Sequence, residues 1–200
     1  MTLPLVVITC VISYLCFQNE ALFNKLAHHP FSERHKGQYY RLLSSGFVHG
    51  SLGHLAINMF VLYQFGAIVE IYFNQMFGTN MSPIIFVGFY ISAIIVANIG
   101  TYLKHGNHQG FRSVGASGVT SALVFIYSFL DPWQMFLFPP IPAILFAVLY
   151  VGYSTWASKK DRDNIDHLAH LYGGLYGLLF IVIAYPESLD IFFNRLMSGW

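Results

Sequence analysis

The chain is 200 residues long, 56% apolar and 10% charged, with a net charge of +1. Soluble domains carry about a quarter charged residues, so the composition excludes an ordinary soluble enzyme and indicates a membrane protein. The near-zero net charge argues against a partner bound through a basic surface, nucleic acid above all.

In chain order, six apolar stretches are predicted as spanning helices: residues 3–23, 52–73, 83–103, 117–130, 141–157 and 165–185. Their small polar faces argue against the helices of a large soluble core. The first stretch has neither a basic n-region nor a small-residue cleavage site, so it is expected to remain as a span. It holds Cys10 and Cys16, whose spacing puts them on different faces and offers no disulfide or metal site. The connection over residues 24–51 exceeds what two helices need and reads as a functional, partly embedded loop. Connections at residues 74–82 and 131–140 are short, and Pro139, Pro140 and Pro142 keep the fifth helix from starting earlier. Glu70 is expected to make a loop or interhelical hydrogen bond, and Trp133 and Trp156 to sit at membrane interfaces. His28, His29, His105 and His108 read as solvated loop residues. The expected architecture is all-α: one polytopic domain of six transmembrane helices over residues 1–200, in the lipid bilayer. Six spans put both termini on one side and make spans two, four and six begin at the same face.

The fourth stretch carries the functional signal. Gly115-Ala116-Ser117-Gly118 opens it, and Asp131-Pro132 stops it after Leu130. Such a helix rises about 21 Å against about 30 Å of hydrocarbon. With its far end at one surface, Ser117 starts about 9 Å below the other. Irregular backbone at that depth is tolerated only where it lines a wet cavity. Intramembrane polar residues are functional hypotheses by default, and here they converge. His54 and Asn58 lie one turn apart on span two. Span six brings His170, with Gly173 and Gly177 on the same face, and span four offers a matching stripe of Ser117, Gly118, Ser121 and Ala122. Packing those stripes would set Ser117 beside His170.

These residue types suit acyl transfer. A serine becomes a nucleophile when a neutral imidazole takes its proton, which gives Ser117 that role and His170 the role of general base. The oxyanion needs fixed donors: the Ser117 backbone N–H at a helix N-terminus, with the side chains of His54 and Asn58. Asp166, four residues before His170, reads as a helix N-cap rather than a third catalytic acid. No cofactor or metal is expected.

Taken together, Gly-Ala-Ser-Gly, His54-x-x-x-Asn58 with His49 before it, and Ala169-His170-x-x-Gly173-x-x-x-Gly177 resemble the rhomboid intramembrane serine proteases, most closely the compact six-span bacterial GlpG type. The resemblance implies a protease that cuts in or beside the transmembrane segments of other membrane proteins, with a small residue before the scissile bond. It also implies that Arg41 and residues 31–50 form a membrane-embedded loop, that span five is a lateral gate, and that the cytoplasmic domain of some members is lacking. Many bacterial members carry a tyrosine four residues after the serine, packed on the histidine. Ser121 stands there in this chain, which leaves Tyr172 as one candidate for the missing ring. The resemblance implies a bacterial inner-membrane location with the site opening to the periplasm. Charge argues the reverse: nine of the ten Lys and Arg residues lie on the site's face and only Arg195 opposite, a bias typical of cytoplasmic loops. Specific residues outweigh that statistical bias, so the periplasmic side is expected.

The alternative is a metal transporter or zinc enzyme built on His49, His54, His167 and His170. The carboxylates expected alongside those histidines are missing from the spans, and the sequence has no H-E-x-x-H pattern. An intramembrane aspartyl protease would need mid-span Asp residues that are absent from the sequence. A non-catalytic relative would be expected to have lost the serine or the histidine. Oligomeric state and natural substrate are open.

Overall fold

The computed structural model describes residues 1–137, 139–160 and 165–199. Arg162 and the rest of residues 161–164, half of the connection at 158–165, lie outside them. Among the described residues the fold is all-helical: α1 (Thr2–Gln18), α2 (Glu20–Leu26), α3 (Pro30–Lys36), α4 (Arg41–Ser44), α5 (Leu52–His105), α6 (Ser117–Leu130), α7 (Ala143–Ala157), α8 (His167–Ala184) and α9 (Ser188–Ser198).

α1 is inside-out relative to a helix of a soluble protein. In α1, Thr2, Thr9 and Ser13 are buried while Leu3, Val7, Val11 and Leu15 are exposed. Water would drive the opposite arrangement. Lipid asks instead that polar groups face the bundle and apolar ones face out.

Two boundaries differ from the sequence reading. The first stretch breaks at Asn19, whose extended backbone ends α1 and whose side chain accepts from Leu22 N–H to cap α2. Residues 74–82 form no loop: helix runs up to Gly78 and resumes at once beyond it. Gly78, at φ 76° and ψ 157°, adopts a backbone conformation open to glycine and turns the chain back on itself. Phe73 therefore meets Phe89 at 6.0 Å, although sixteen residues of straight helix would separate them by about 24 Å. Glu70 makes the expected interhelical bond, accepting from Thr2 N–H at 2.8 Å.

α6 is the hub. Residues from Gly118 to Ser128 are all buried, and α5 and α8 pack along it. The α6–α8 contact is backbone on backbone: a Cβ at Gly173 would run into the Gly118 carbonyl, and one at Gly177 into that of Ala122. α7 is looser and buries only Ala143, Ser154 and Ala157.

The long first connection is a packed body of short helices. Arg41 is buried and donates from Nη1 to the carbonyls of Asn24 and Ala27 and from Nε to Gln38. His28 is not solvated as expected. It is fully buried, 2.7 Å from Glu33 through Nδ1, and its backbone pairs with that of Ser113. That pairing ties the first connection to the loop preceding α6 and removes His28 from water. α9, which follows the last apolar stretch, anchors on α6 through the Phe129–Phe192 stack and the Arg195–Asp131 ion pair.

Candidate active site

The segment before α6 is held by its backbone. Gly115 N–H donates to the Ser45 carbonyl at 3.0 Å, and Ala116 N–H to His49 Nε2 at 3.2 Å. Gly115 sits at φ 127°, and a Cβ there would come 2.7 Å from the His54 ring, so both backbone and space demand glycine. His49 is fully buried, with Nδ1 2.9 Å from Ser13 Oγ, which itself donates to the Phe47 carbonyl. With Nε2 accepting from Ala116, the neutral ring donates from Nδ1. Burial, then the neighbouring His54, pushes the His49 pKa from 6.5 down to about 3. Both ring nitrogens are engaged, so His49 is a strut between α1 and the serine turn rather than a metal ligand.

Ser117 is the first residue of α6, and no side chain caps that helix. Its N–H therefore has neither an intrahelical acceptor nor a competing cap. Asp166 caps α8, accepting from Ala169 N–H at 3.0 Å and from the Thr101 hydroxyl at 2.6 Å. Ser117, His170, His54 and Asn58 all line one cavity of about 560 Å³ between α5, α6, α7 and α8. Asn58 donates from Nδ2 to the His54 carbonyl, with the Thr120 hydroxyl 3.4 Å from its Oδ1. One amide hydrogen of Asn58 is thus spoken for, and the other is uncommitted by that bond.

A family model described as the Rhomboid domain matches residues 36–187. The chain belongs to the rhomboid family. Rhomboids are polytopic integral membrane proteins, in keeping with the inverted polarity of α1. This rhomboid is 26% identical to RHOMBOID-like protein 12, mitochondrial, of Arabidopsis thaliana, over 68% of its own length and 44% of the relative's. It is 26% identical to Rhomboid protease GluP of Bacillus subtilis, over 82% and 30%. With Rhomboid protease GlpG of Haemophilus influenzae it shares 25% identity over 85% of this chain and 83% of that one. The chain thus spans less than half the length of the first two.

Sequence reasoning missed Tyr150. Its ring stacks on His170, centroids 6.1 Å and planes 29° apart, and its hydroxyl lies 2.9 Å from Ser121 Oγ. Tyr172, considered for that place, instead packs its ring on Gly100 of α5. A tyrosine in an apolar helix carries no mark of which neighbour it meets, so nothing in the local sequence could have singled out Tyr150.

Proposed function

We propose that this rhomboid is an intramembrane serine endopeptidase that cleaves peptide bonds in or next to transmembrane segments of single-pass and other membrane proteins. The observation that carries the reading is the convergence of Ser117, His170, His54 and Asn58 on one cavity. α1, the two limbs of α5, α6, α7 and α8 are taken as the six spans of a single domain. α6, at about 21 Å, is too short for the full hydrocarbon thickness of about 30 Å, so Ser117 starts below the surface in a cavity that admits water.

His170 takes the proton of Ser117 Oγ as it attacks the scissile carbonyl. The developing oxyanion accepts from the Ser117 N–H and from the side chains of His54 and Asn58. Collapse expels the amine, which receives the proton from His170, and leaves an acyl-serine. Water deprotonated by His170 then hydrolyses the ester. Carbonyls within a helix are already hydrogen-bonded, so the substrate must unwind locally first, and helix-breaking residues near its membrane boundary should favour cleavage. We place the protein in a bacterial inner membrane with the cavity opening to the periplasm.

The test is a gel assay on a single-span model substrate. Ser117→Ala and His170→Ala should each abolish cleavage in protein that still extracts folded, and the double variant should lose little more. A fluorophosphonate should label Ser117. Turnover by either single variant, or activity lost to a chelator and restored by zinc, would reject this reading.

A further inference from the structure

The ring over His170 is fastened to the backbone of Ser117. Ser121 Oγ donates to the Ser117 carbonyl at 2.8 Å and lies 2.9 Å from the Tyr150 hydroxyl. A serine hydroxyl has one hydrogen. With that hydrogen given to Ser117, it is Tyr150 that donates to Ser121. The relay runs from Tyr150 O–H to Ser121 O–H to Ser117 C=O, so one chain of bonds links the ring stacked on His170 to the residue that His170 serves.

The helix that supplies the ring is the one least held by the bundle. Among the apolar helices α7 buries the fewest residues, Ala143, Ser154 and Ala157, and exposes Val148, Leu149, Tyr153 and Trp156. Around Tyr150 the contacts of α7 with its surroundings are aromatic: Tyr150 meets Phe125 of α6 at 5.7 Å, and Phe146, one turn earlier, meets Phe136 at 4.9 Å. Ring contacts of this kind tolerate a range of offsets, and they slide more readily than the backbone contact of α6 on α8.

We propose that Tyr150 is the positioning residue for His170, and that through it the seating of α7 against α6 decides whether the Ser117–His170 pair is competent. The inference rests on the reading of Ser117 and His170 as nucleophile and base. With α7 seated, the ring limits rotation of the imidazole and the hydroxyl relay sets the ring's height on α6. With α7 displaced outward, the ring leaves the imidazole and the Ser121 bond breaks in the same motion. A helix that moves to admit substrate would therefore have to reseat before hydrolysis proceeds.

The experiment uses the whole chain in detergent, with the single-span model substrate and a fluorophosphonate that reports on the pair without substrate. Tyr150→Ala should lower kcat and the rate of Ser117 labelling together by about 10- to 100-fold, with KM little changed. Tyr150→Phe, which keeps the ring, should retain most of the rate. Ser121→Tyr alone should be overpacked against Tyr150 and less stable. In the Tyr150→Ala background the same change supplies a ring from α6 and should restore labelling and kcat. Ala143→Leu, which pushes on a buried α7 contact, should slow labelling in the parent chain but not in that double variant, whose ring no longer travels with α7. Unchanged labelling in Tyr150→Ala would overturn the proposal. So would a loss that tracks a fall in Tm and is not restored by the second tyrosine. Turnover by Ser117→Ala would instead overturn the protease reading beneath it.

Discussion

Asn58 and His54 sit at the junction of structure and chemistry. Asn58 holds the His54 carbonyl through one amide hydrogen, and both side chains line the cavity with Ser117. In the proposed role of oxyanion donors they should matter in the transition state more than in the folded state. Asn58→Ala and His54→Ala are each expected to lower kcat by about 2.7–4 kcal/mol of transition-state stabilisation without abolishing turnover, because the Ser117 N–H remains. A drop in thermal stability with no change in kcat would make them loop anchors only. His49 gives a pH signature of its own. Folded His49 stays neutral down to about pH 3, whereas the unfolded residue takes a proton near 6.5. Between those values the unfolded chain binds more protons, so stability is complete above 6.5 and declines as pH falls toward 3. Tm in detergent should fall from neutral pH to about pH 5, and the slope should flatten in His49→Asn. Parallel slopes would mean that His49 is not the titrating group.

At the scale of elements, the α6–α8 contact sets the geometry of the pair. Gly173 and Gly177 leave no room for a Cβ against the carbonyls of Gly118 and Ala122. Gly177→Ala must therefore push two backbones apart, at a cost of about 1–3 kcal/mol or more, with activity lost as Ser117 and His170 separate. Gly88→Ala is the counterpart: nothing lies within 4 Å of a Cβ there. In a helix that change should be neutral or stabilise by about 0.4–1 kcal/mol. Thermal unfolding of the two variants side by side checks the contact, and equal Tm shifts would contradict it.

For the whole molecule, the charge distribution bears on which way the bundle faces. On the six-span reading of the sequence, nine of the ten Lys and Arg residues fall in connections on the cavity side, against the bias expected if that side is periplasmic. Two of these charges have local work: Arg41 binds the carbonyls of Asn24 and Ala27, and Lys104 donates to the Ser158 carbonyl at 2.7 Å. A cation engaged in folding a loop is a poor witness to topology. In a background with Cys10 and Cys16 replaced, Lys159→Cys is expected to react with an impermeant thiol reagent in intact cells. Reaction only after the membrane is opened would reverse the orientation.

Much was legible from one dimension alone. Hydropathy, the length of the fourth stretch and its bounding Gly-Ala-Ser-Gly and Asp-Pro gave α6 its limits from Ser117 to Leu130, because turn chemistry and span length are local properties. The spacing of Gly173 and Gly177 behind His170 anticipated the face that α8 lays on α6, since helical period fixes which residues share a face. Three features were decided only by tertiary structure. The reversal at Gly78 rests on one residue's φ, which a glycine permits but does not require. The burial of His28 depends on pairing with Ser113, eighty-five residues away in sequence. The cover on His170 comes from Tyr150 because rotation and depth of α7 bring that ring, and not Tyr172, to the imidazole. Each is a relation between distant segments, set by how helices rotate and settle against one another, and the residues involved look ordinary where they stand in the chain.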